Sequence, residues 1–121
     1  MKKKKTLVLG ASENPSRYSF LAINRQKNNQ HPIVAIGKCK GMVAGIAIET
    51  GKIESEDIDT ITLYLNPAHQ KEYYDYIISL HPQRIIFNPG TENDELAELA
   101  HKNGIATKEA CTLVLLATGQ Y

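Results

Sequence analysis

Short apolar runs alternate with stretches of helical character along the whole chain. The first run, Thr6–Gly10, is continuously apolar between lysines and a glycine, which is typical of a central strand covered on both faces. Four later runs have the length and composition of strands: Ile33–Ile36, Ile58–Leu65, Arg84–Phe87 and Ile105–Glu109. Helical spacing or helix-end signals fill most of the gaps, so the pattern predicts strands that alternate with helices.

The first two helices are expected where capping residues precede amphipathic stretches. One is predicted to start at Ser16 or Ser19 and to run to about Asn28. Another is predicted to start with Asn66 as its cap and Pro67 in its first turn, where the missing N–H of proline is not needed.

The remaining segments give weaker signals. Thr91 or Asn93 is the expected cap of a further helix, and Gly104 is expected to end it because glycine accepts a left-handed conformation. Residues 38–48 are glycine-rich with alternating apolar positions, so we interpret them as a loop with a short extended piece. Residues 110–117 are apolar and predict a short helix or an extended arm.

Alternating strands and helices predict an α/β fold. Parallel strands need crossover connections, and these place helices on both faces of the sheet. We therefore expect a Rossmann-like three-layer α/β/α sandwich with a mainly parallel five-stranded sheet in the order 3-2-1-4-5, which puts the first strand at the centre. Residues 1–121 are expected to form one domain, with residues 1–5 as a basic N-terminal tail.

Charge and cysteine content narrow the function classes. The formal net charge of +1 argues against a broad nucleic-acid surface, and we interpret the lysines before Thr6 as a solvated tail. No apolar run approaches the ~20 residues of a membrane span, and no secretory signal is visible. Cys39 and Cys111 lie far apart without metal-ligand spacing, which predicts a reduced, cytoplasmic protein.

The residues that follow the predicted strands point to one ligand-binding edge. In open α/β sheets, ligands bind beyond the carboxyl ends of the strands. Here those ends carry small, polar or turn-forming residues: 10–12, 37–38, 64–67 and 88–93. The sequence therefore predicts a ligand site at this edge, although turns alone would also need such residues.

The first of these loops has the parts of an anion site. Gly10 permits close backbone approach, while Ser12, Arg17 and Ser19 provide donors around a helix start. The loop lacks the later glycines of Gly-x-Gly-x-x-Gly. Lys38 stands where an NAD site has an acidic residue, which favours a ribose-phosphate nucleotide such as coenzyme A (CoA) or NADP. The alternative is that Lys38 is simply solvated.

Catalytic signals are few. His69 is the only histidine expected at the ligand edge, and no His, Cys and Asp cluster predicts a metal. Glu92 has the chemistry of a base but is better explained by capping or solvation. Cys111 follows the last strand and is a candidate for a mixed disulfide with a thiol ligand, with a buried structural cysteine as the alternative.

Three motifs resemble the single-domain CoA-binding protein family, which is similar to the N-terminal domain of the succinyl-CoA synthetase alpha subunit. They are the loop 9–17 (Leu-Gly-Ala-Ser-Glu-Asn-Pro-Ser-Arg), the turn Asn66-Pro67, and 86–93 (Ile-Phe-Asn-Pro-Gly-Thr-Glu-Asn). The resemblance covers nearly the whole chain and implies a Rossmann-like domain that binds CoA. The synthetase's phosphohistidine lies in a second domain that this sequence lacks, so ligase activity is not implied.

The resemblance also implies which positions contact CoA. The first loop would line the phosphates, residues 37–38 would lie near the adenosine phosphate or ribose, 66–67 would border the adenine or pantetheine path, and 88–90 would face the first loop. The residues carried over are Gly10, Ala11, Ser12, Arg17, Tyr18, Ser19, Gly37, Lys38, Asn66, Pro67, Asn88, Pro89 and Gly90.

The sequence thus predicts a protein that binds CoA or an acyl-CoA without catalysis of its own, as a sensor or carrier. Two other hypotheses about function stay open: an NADP-binding oxidoreductase or redox-sensor subunit, and a non-catalytic interaction subunit with a decayed nucleotide site. No nucleic-acid or membrane partner is expected. The apolar segment 113–116 would serve a homodimer or cover the sheet.

Overall fold

A computed structural model describes residues 3–121 of the chain. Within them, the strands are β1 (Thr6–Ala11), β2 (Ile33–Gly37), β3 (Gly41–Val43), β4 (Ile46–Glu49), β5 (Thr60–Leu63), β6 (Arg84–Phe87) and β7 (Ala106–Glu109). The α-helices are α1 (Tyr18–Asn28), α2 (Pro67–Gln70), α3 (Tyr74–Ser79), α4 (Asp94–Lys102) and α5 (Thr112–Ala117), with a 3-10 turn at Lys71–Tyr73.

The strands form one sheet in the order β3-β4-β2-β1-β5-β6-β7. Every neighbouring pair is parallel except β3 and β4, and helices flank the sheet. This confirms the predicted Rossmann-like α/β fold with β1 at the centre. The predicted count of five strands is wrong, because the described residues form a sheet of seven.

The two additional strands lie in the glycine-rich segment that the sequence predicts as a loop with a short extended piece. β3 and β4 pair as an antiparallel hairpin in which Val43 lies opposite Ile46. Ala44 and Gly45 form its two-residue turn, and both have positive φ (52° and 81°), as the tight hairpin turns that match strand twist require. Because Ala44 is not a usual residue for this conformation, the turn gave little signal in the sequence.

The predicted strand order is also wrong in one position. The run Ile58–Leu65 was placed beside the second strand, but as β5 it pairs with β1, with Leu7 beside Ile61. β4 takes the place beside β2, through the parallel pair Ala35 and Ile48. The connection through the hairpin therefore extends this side of the sheet before the chain crosses to the other side of β1.

The continuous apolar pattern of β1 reflects burial on both faces. Leu7 and Leu9 are fully buried on the face covered by α3 and α4, and Val8 is fully buried on the face of α1. Burying such a side chain stabilises the fold by ~2 kcal/mol. The α5 segment covers the same face as α1, where Leu115 packs on Ile86 and partly buried Leu116 joins the cluster, while Val114 is exposed. No helix among residues 3–121 is long and apolar enough to cross a membrane.

The basic N-terminal segment contacts the body of the protein as far as it is described. Lys3 Nζ donates to the Asn29 carbonyl at 2.7 Å, and Lys5 Nζ donates to the Glu56 carbonyl at 2.8 Å. Residues 1 and 2 of the predicted tail lie outside the described residues. The described lysines lie against the amino ends of the strands, opposite the predicted ligand edge.

Tyr121 closes this opposite edge. Its hydroxyl is hydrogen-bonded to Thr6 Oγ1 at 2.5 Å and accepts from Gln26 Nε2 at 2.8 Å. The ring centroid lies 4.9 Å from that of His31 and 4.5 Å from the Arg84 guanidinium carbon. One side chain thus ties together β1, α1 and β6.

His31 is held in its neutral form at this edge. Its Nδ1 accepts a hydrogen bond from the Lys4 backbone N–H at 3.0 Å, and the side chain is almost fully buried. Burial is the largest cause that lowers the pKa of His31, followed by the charges of Lys3, Lys4 and Arg84, which Asp59 only partly offsets. Protonation would break the Nδ1 bond and add a cation beside others.

This arrangement predicts a loss of stability in mild acid. The pKa of His31 is lower in the folded than in the unfolded protein, so its contribution is complete above the unfolded value of about 6.5 and declines as pH falls below that value. Urea unfolding at neutral and mildly acidic pH measures the effect. His31→Asn keeps an acceptor but does not titrate, so it should flatten the pH dependence.

The matched control is His101→Asn, a replacement at an exposed helix position, which should leave the pH dependence of the unmutated protein in place. Equal pH slopes for the unmutated protein and His31→Asn would contradict the assignment.

Candidate functional site

A cleft of about 530 Å³ opens beyond the carboxyl ends of the central strands. Its walls are the loop after β1 with the start of α1, the loop between β2 and β3, and the segments that follow β5 and β6. The cleft therefore lies at the edge that the sequence predicted.

The loop after β1 is shaped by Gly10. It has φ +101°, and the pairing of β1 with β2 shifts register between Leu9 and Ala11. A Cβ on Gly10 would lie 3.0 Å from the Tyr64 carbonyl carbon and 3.2 Å from Leu65 Cδ2. Only glycine suits both the conformation and the space, so the loop turns tightly against the end of β5.

Side-chain hydrogen bonds order the rest of this loop. Ser12 Oγ accepts from the Asn14 N–H at 3.1 Å. Asn14 Oδ1 in turn accepts from the Ser16 N–H at 3.0 Å and from Ser16 Oγ at 2.8 Å. These local bonds lead the chain into α1 without using the helix's own first N–H groups.

The N-terminus of α1 is left uncapped at the cleft. Arg17 occupies the cap position and forms no side-chain cap bond, and the first turn contains no acidic residue. The predicted cap at Ser16 or Ser19 is wrong, because Ser16 bonds to Asn14 and Ser19 lies inside the helix. α2 and α4 differ, since Asn66 and Asn93 cap them. Uncapped N–H groups and the helix dipole favour an anion here.

The structure brings eight of the thirteen predicted ligand residues to the cleft wall: Gly10, Ala11, Ser12, Arg17, Tyr18, Ser19, Lys38 and Pro89. Arg17 and Tyr18 are exposed beside it, with Tyr18 70% exposed. These residues come from the loop after β1, the end of β2 and the end of β6, so three strand ends meet at one cavity.

Four further predicted residues, at strand or helix ends or in a turn, support the wall from outside it. A Cβ on Gly37 would lie 2.2 Å from the Ala11 carbonyl oxygen, so glycine allows the end of β2 to pack on the first loop. Asn66 Oδ1 accepts from the His69 N–H at 3.0 Å, and Pro67 begins α2. Gly90 has φ +92° and donates its N–H to the Glu92 carboxylate at 2.8 Å.

Asn88, the thirteenth, is buried behind the cleft. Its Nδ2 donates to Thr62 Oγ1 at 2.7 Å and to the Leu63 carbonyl at 2.9 Å. Its Oδ1 accepts from the Thr112 N–H at 2.8 Å. The amide thus joins β5, β6 and the start of α5, and its donors and acceptor are used within the fold.

Eight other residues line the cleft that the ligand prediction did not include: Glu13, Asn14, Cys39, Lys40, Tyr64, Leu65, His69 and Thr91. Several signals for them were available, since Asn14 is part of the first motif, Tyr64 and Leu65 end a predicted strand, and His69 was expected at this edge. Lys40 and Cys39 gave no such signal, because their position depends on the unforeseen hairpin.

Charge and polarity differ between the two sides of the cleft. Arg17, Lys38 and Lys40 supply positive charge at the first loop and the end of β2, beside the carboxylate of Glu13. The opposite wall presents Tyr64 and Leu65. Burial raises the pKa of Tyr64 to about 12, so its phenol stays neutral and its ring forms an apolar surface.

The two cysteines differ in their position relative to the cleft. Both are free thiols; Cys39 is exposed and lines the cleft, whereas half-buried Cys111 is not among the lining residues. Among the described residues, no group of three or more His, Cys, Asp or Glu side chains is placed to hold a metal ion.

The contacts of Asn88 predict a structural effect of its removal. Asn88→Ala would leave the Thr112 N–H and the Leu63 carbonyl without their buried partner, at a cost of about 3 kcal/mol. Urea unfolding measures this loss. Asn103→Ala, which removes an exposed amide, is the matched control and should cost less than about 1 kcal/mol. Similar losses for both variants would contradict the structural role.

The chain is similar to a known protein family and to solved structures. The model of a family described as a CoA binding domain matches residues 4–117. A crystal structure of an uncharacterised protein is 46% identical, with a TM-score of 0.97 and full coverage of both chains. No curated protein matches the chain.

More distant structures share the fold alone. A hypothetical protein from Pyrococcus horikoshii OT3 is 19% identical with a TM-score of 0.84, over 93% of this chain and 81% of that one. An oxidoreductase from Bacillus cereus is 14% identical with a TM-score of 0.59, over 88% of this chain and 34% of that one.

Proposed function

The chain belongs to the CoA-binding domain family, and we propose that its cleft binds CoA or an acyl-CoA. The observation that carries the proposal is the uncapped N-terminus of α1, which lies in the same cleft as the cationic side chains of Arg17, Lys38 and Lys40. CoA carries a diphosphate and a ribose phosphomonoester, so it offers anions to both the helix and the lysines.

The diphosphate fits the loop after β1. Gly10, Ala11 and Ser12 bring backbone groups to the cleft, and the first N–H groups of α1 are free of side-chain caps. Backbone N–H groups at a helix start bind phosphate without reorganisation. Arg17 adds a charge-assisted contact from the helix cap position.

The remaining parts of CoA fit the two sides of the cleft. The ribose phosphate belongs at Lys38 and Lys40, where two cations follow β2. The pantetheine arm belongs along Tyr64, Leu65 and Pro89, which give it a mainly apolar wall. The predicted ligand positions outside the wall, Gly37, Asn66, Pro67, Asn88 and Gly90, then shape the site from behind.

We also propose that the protein holds its ligand rather than transforms it, as a sensor or carrier. Within the described residues, Ser12 Oγ accepts from the Asn14 N–H, and Thr91 Oγ1 donates to the Asn88 carbonyl. None of these bonds pairs a nucleophile with His69. Two free thiols fit a reducing, cytoplasmic setting.

Calorimetric titration with CoA tests the binding proposal. We expect saturable binding, and Arg17→Ala should raise the Kd about tenfold because a charged contact to phosphate is lost. Arg25→Ala is the matched control, since Arg25 is exposed in the last turn of the same helix, and it should leave the Kd unchanged. No heat of binding from folded protein with CoA or acetyl-CoA would overturn the proposal.

Ligand selectivity tests the assignment of the lysines. Lys38→Ala and Lys40→Ala should weaken CoA binding about fivefold to tenfold, and binding of dephospho-CoA, which lacks the ribose phosphate, much less. Lys102→Ala, on the exposed side of α4, is the control. Tighter binding of NADPH than of CoA would favour the oxidoreductase or redox-sensor alternative instead.

A further inference from the structure

Glu13 is an unexpected residue in a cleft for polyanions. It lines the cavity with Arg17, Lys38 and Lys40, where its carboxylate repels any phosphate that binds. The contacts of Glu13 with the β3–β4 hairpin give a structural explanation for a carboxylate at this position.

The Glu13 side chain crosses from the first loop to the β3–β4 hairpin. Its Oε2 accepts a hydrogen bond from the Met42 backbone N–H at 2.9 Å. The side chain lies directly over Gly41, where an added Cβ would be 2.3 Å from Glu13 Cδ and 2.6 Å from its Oε1. Gly41 thus provides the space, and Met42 provides the donor.

The loop Lys38–Lys40 is therefore fixed at both ends by the first loop. At one end Gly37 packs on the Ala11 carbonyl, and at the other Gly41 and Met42 receive Glu13. The three residues between them include both lysines of the cleft. Their distance from the anion-binding loop depends on these two contacts, of which only the second is a side-chain contact.

We propose that Glu13 is a positioning residue that sets the selectivity of the cleft for nucleotides with a phosphomonoester in addition to a diphosphate. This rests on the proposed CoA site. By accepting the Met42 N–H, Glu13 holds Lys38 and Lys40 at a fixed distance from the first loop, so that the diphosphate and the phosphomonoester are bound together. The repulsion from its carboxylate is the cost of that alignment.

Two substitutions at Glu13 separate alignment from charge, because both remove the carboxylate charge but only the alanine also removes the acceptor for the Met42 N–H. Glu13→Gln keeps an acceptor for Met42 and removes the charge, so it should bind CoA and dephospho-CoA a few-fold tighter with their Kd ratio unchanged. Glu13→Ala loses the contact, and the preference for CoA over dephospho-CoA should fall at least threefold. Glu98→Ala, an exposed change on α4, is the control.

Hydrogen exchange at the Met42 amide provides a readout without ligand. It should be faster in Glu13→Ala than in Glu13→Gln or the unmutated protein. Gly41→Ala provides a second route, because the new methyl group displaces the Glu13 carboxylate while the glutamate remains; it should reproduce the reduced preference of Glu13→Ala. This variant decides the question if Glu13→Ala does not fold.

The outcomes distinguish the two proposals. If the unmutated protein binds neither CoA nor dephospho-CoA, the proposed function fails and the inference fails with it. If it binds CoA but Glu13→Ala and Gly41→Ala keep the same Kd ratio, the inference alone is overturned. Weaker binding of both nucleotides by Glu13→Gln, with a reduced ratio, would also overturn it.

Discussion

The structure depends on how closely the end of β1 packs against the neighbouring strands β5 and β2. Gly10 leaves no space for a side chain beside Tyr64 and Leu65 on one side, and the Ala11 carbonyl occupies the space over Gly37 on the other. Residues 6–9 of β1 are fully buried at the centre of the sheet, so the end of the strand has little freedom to move away. The geometry of the proposed anion site is therefore a result of core packing.

The opposite wall of the cleft is fixed by buried amides. Gln70 donates from Nε2 to the Leu65 carbonyl at 2.8 Å and to the Thr91 carbonyl at 2.9 Å, while its Oε1 accepts from Asn93 at 2.9 Å. Asn88 plays the corresponding part between β5 and α5. Satisfied buried polar groups specify one arrangement, since any other leaves a polar group unpaired at a cost of ~1–3 kcal/mol.

The sequence predicted most of what depends on local periodicity. The alternation of strands and helices, the cap at Asn66 and the burial of the first four residues of β1 all follow from patterns within a few residues. The hairpin could not be predicted in this way, because its turn places Ala44 at positive φ and its pairing with β2 is made through residues distant in sequence. Because the hairpin was not predicted, the position of Lys40 in the cleft and the contact of Glu13 with Met42 were not predicted either. Asn88 illustrates the opposite difficulty, since its place in a loop motif does not reveal that its amide bonds to β5 and to the start of α5.

Tyr121 lies against the beginning of the described chain. Its carbonyl accepts from Lys4 Nζ and from Arg84 Nη2, so residues 4 and 121 meet beside the amino ends of the strands, on the side of the sheet away from the cleft. Joining these two points with a short linker and opening the chain at the exposed turn near Gly51 would yield a circular permutant with every cleft loop intact. The fold thus separates the place where the chain is closed from the place where the ligand is proposed to bind, which makes the far edge suitable for attaching a surface or a reporter.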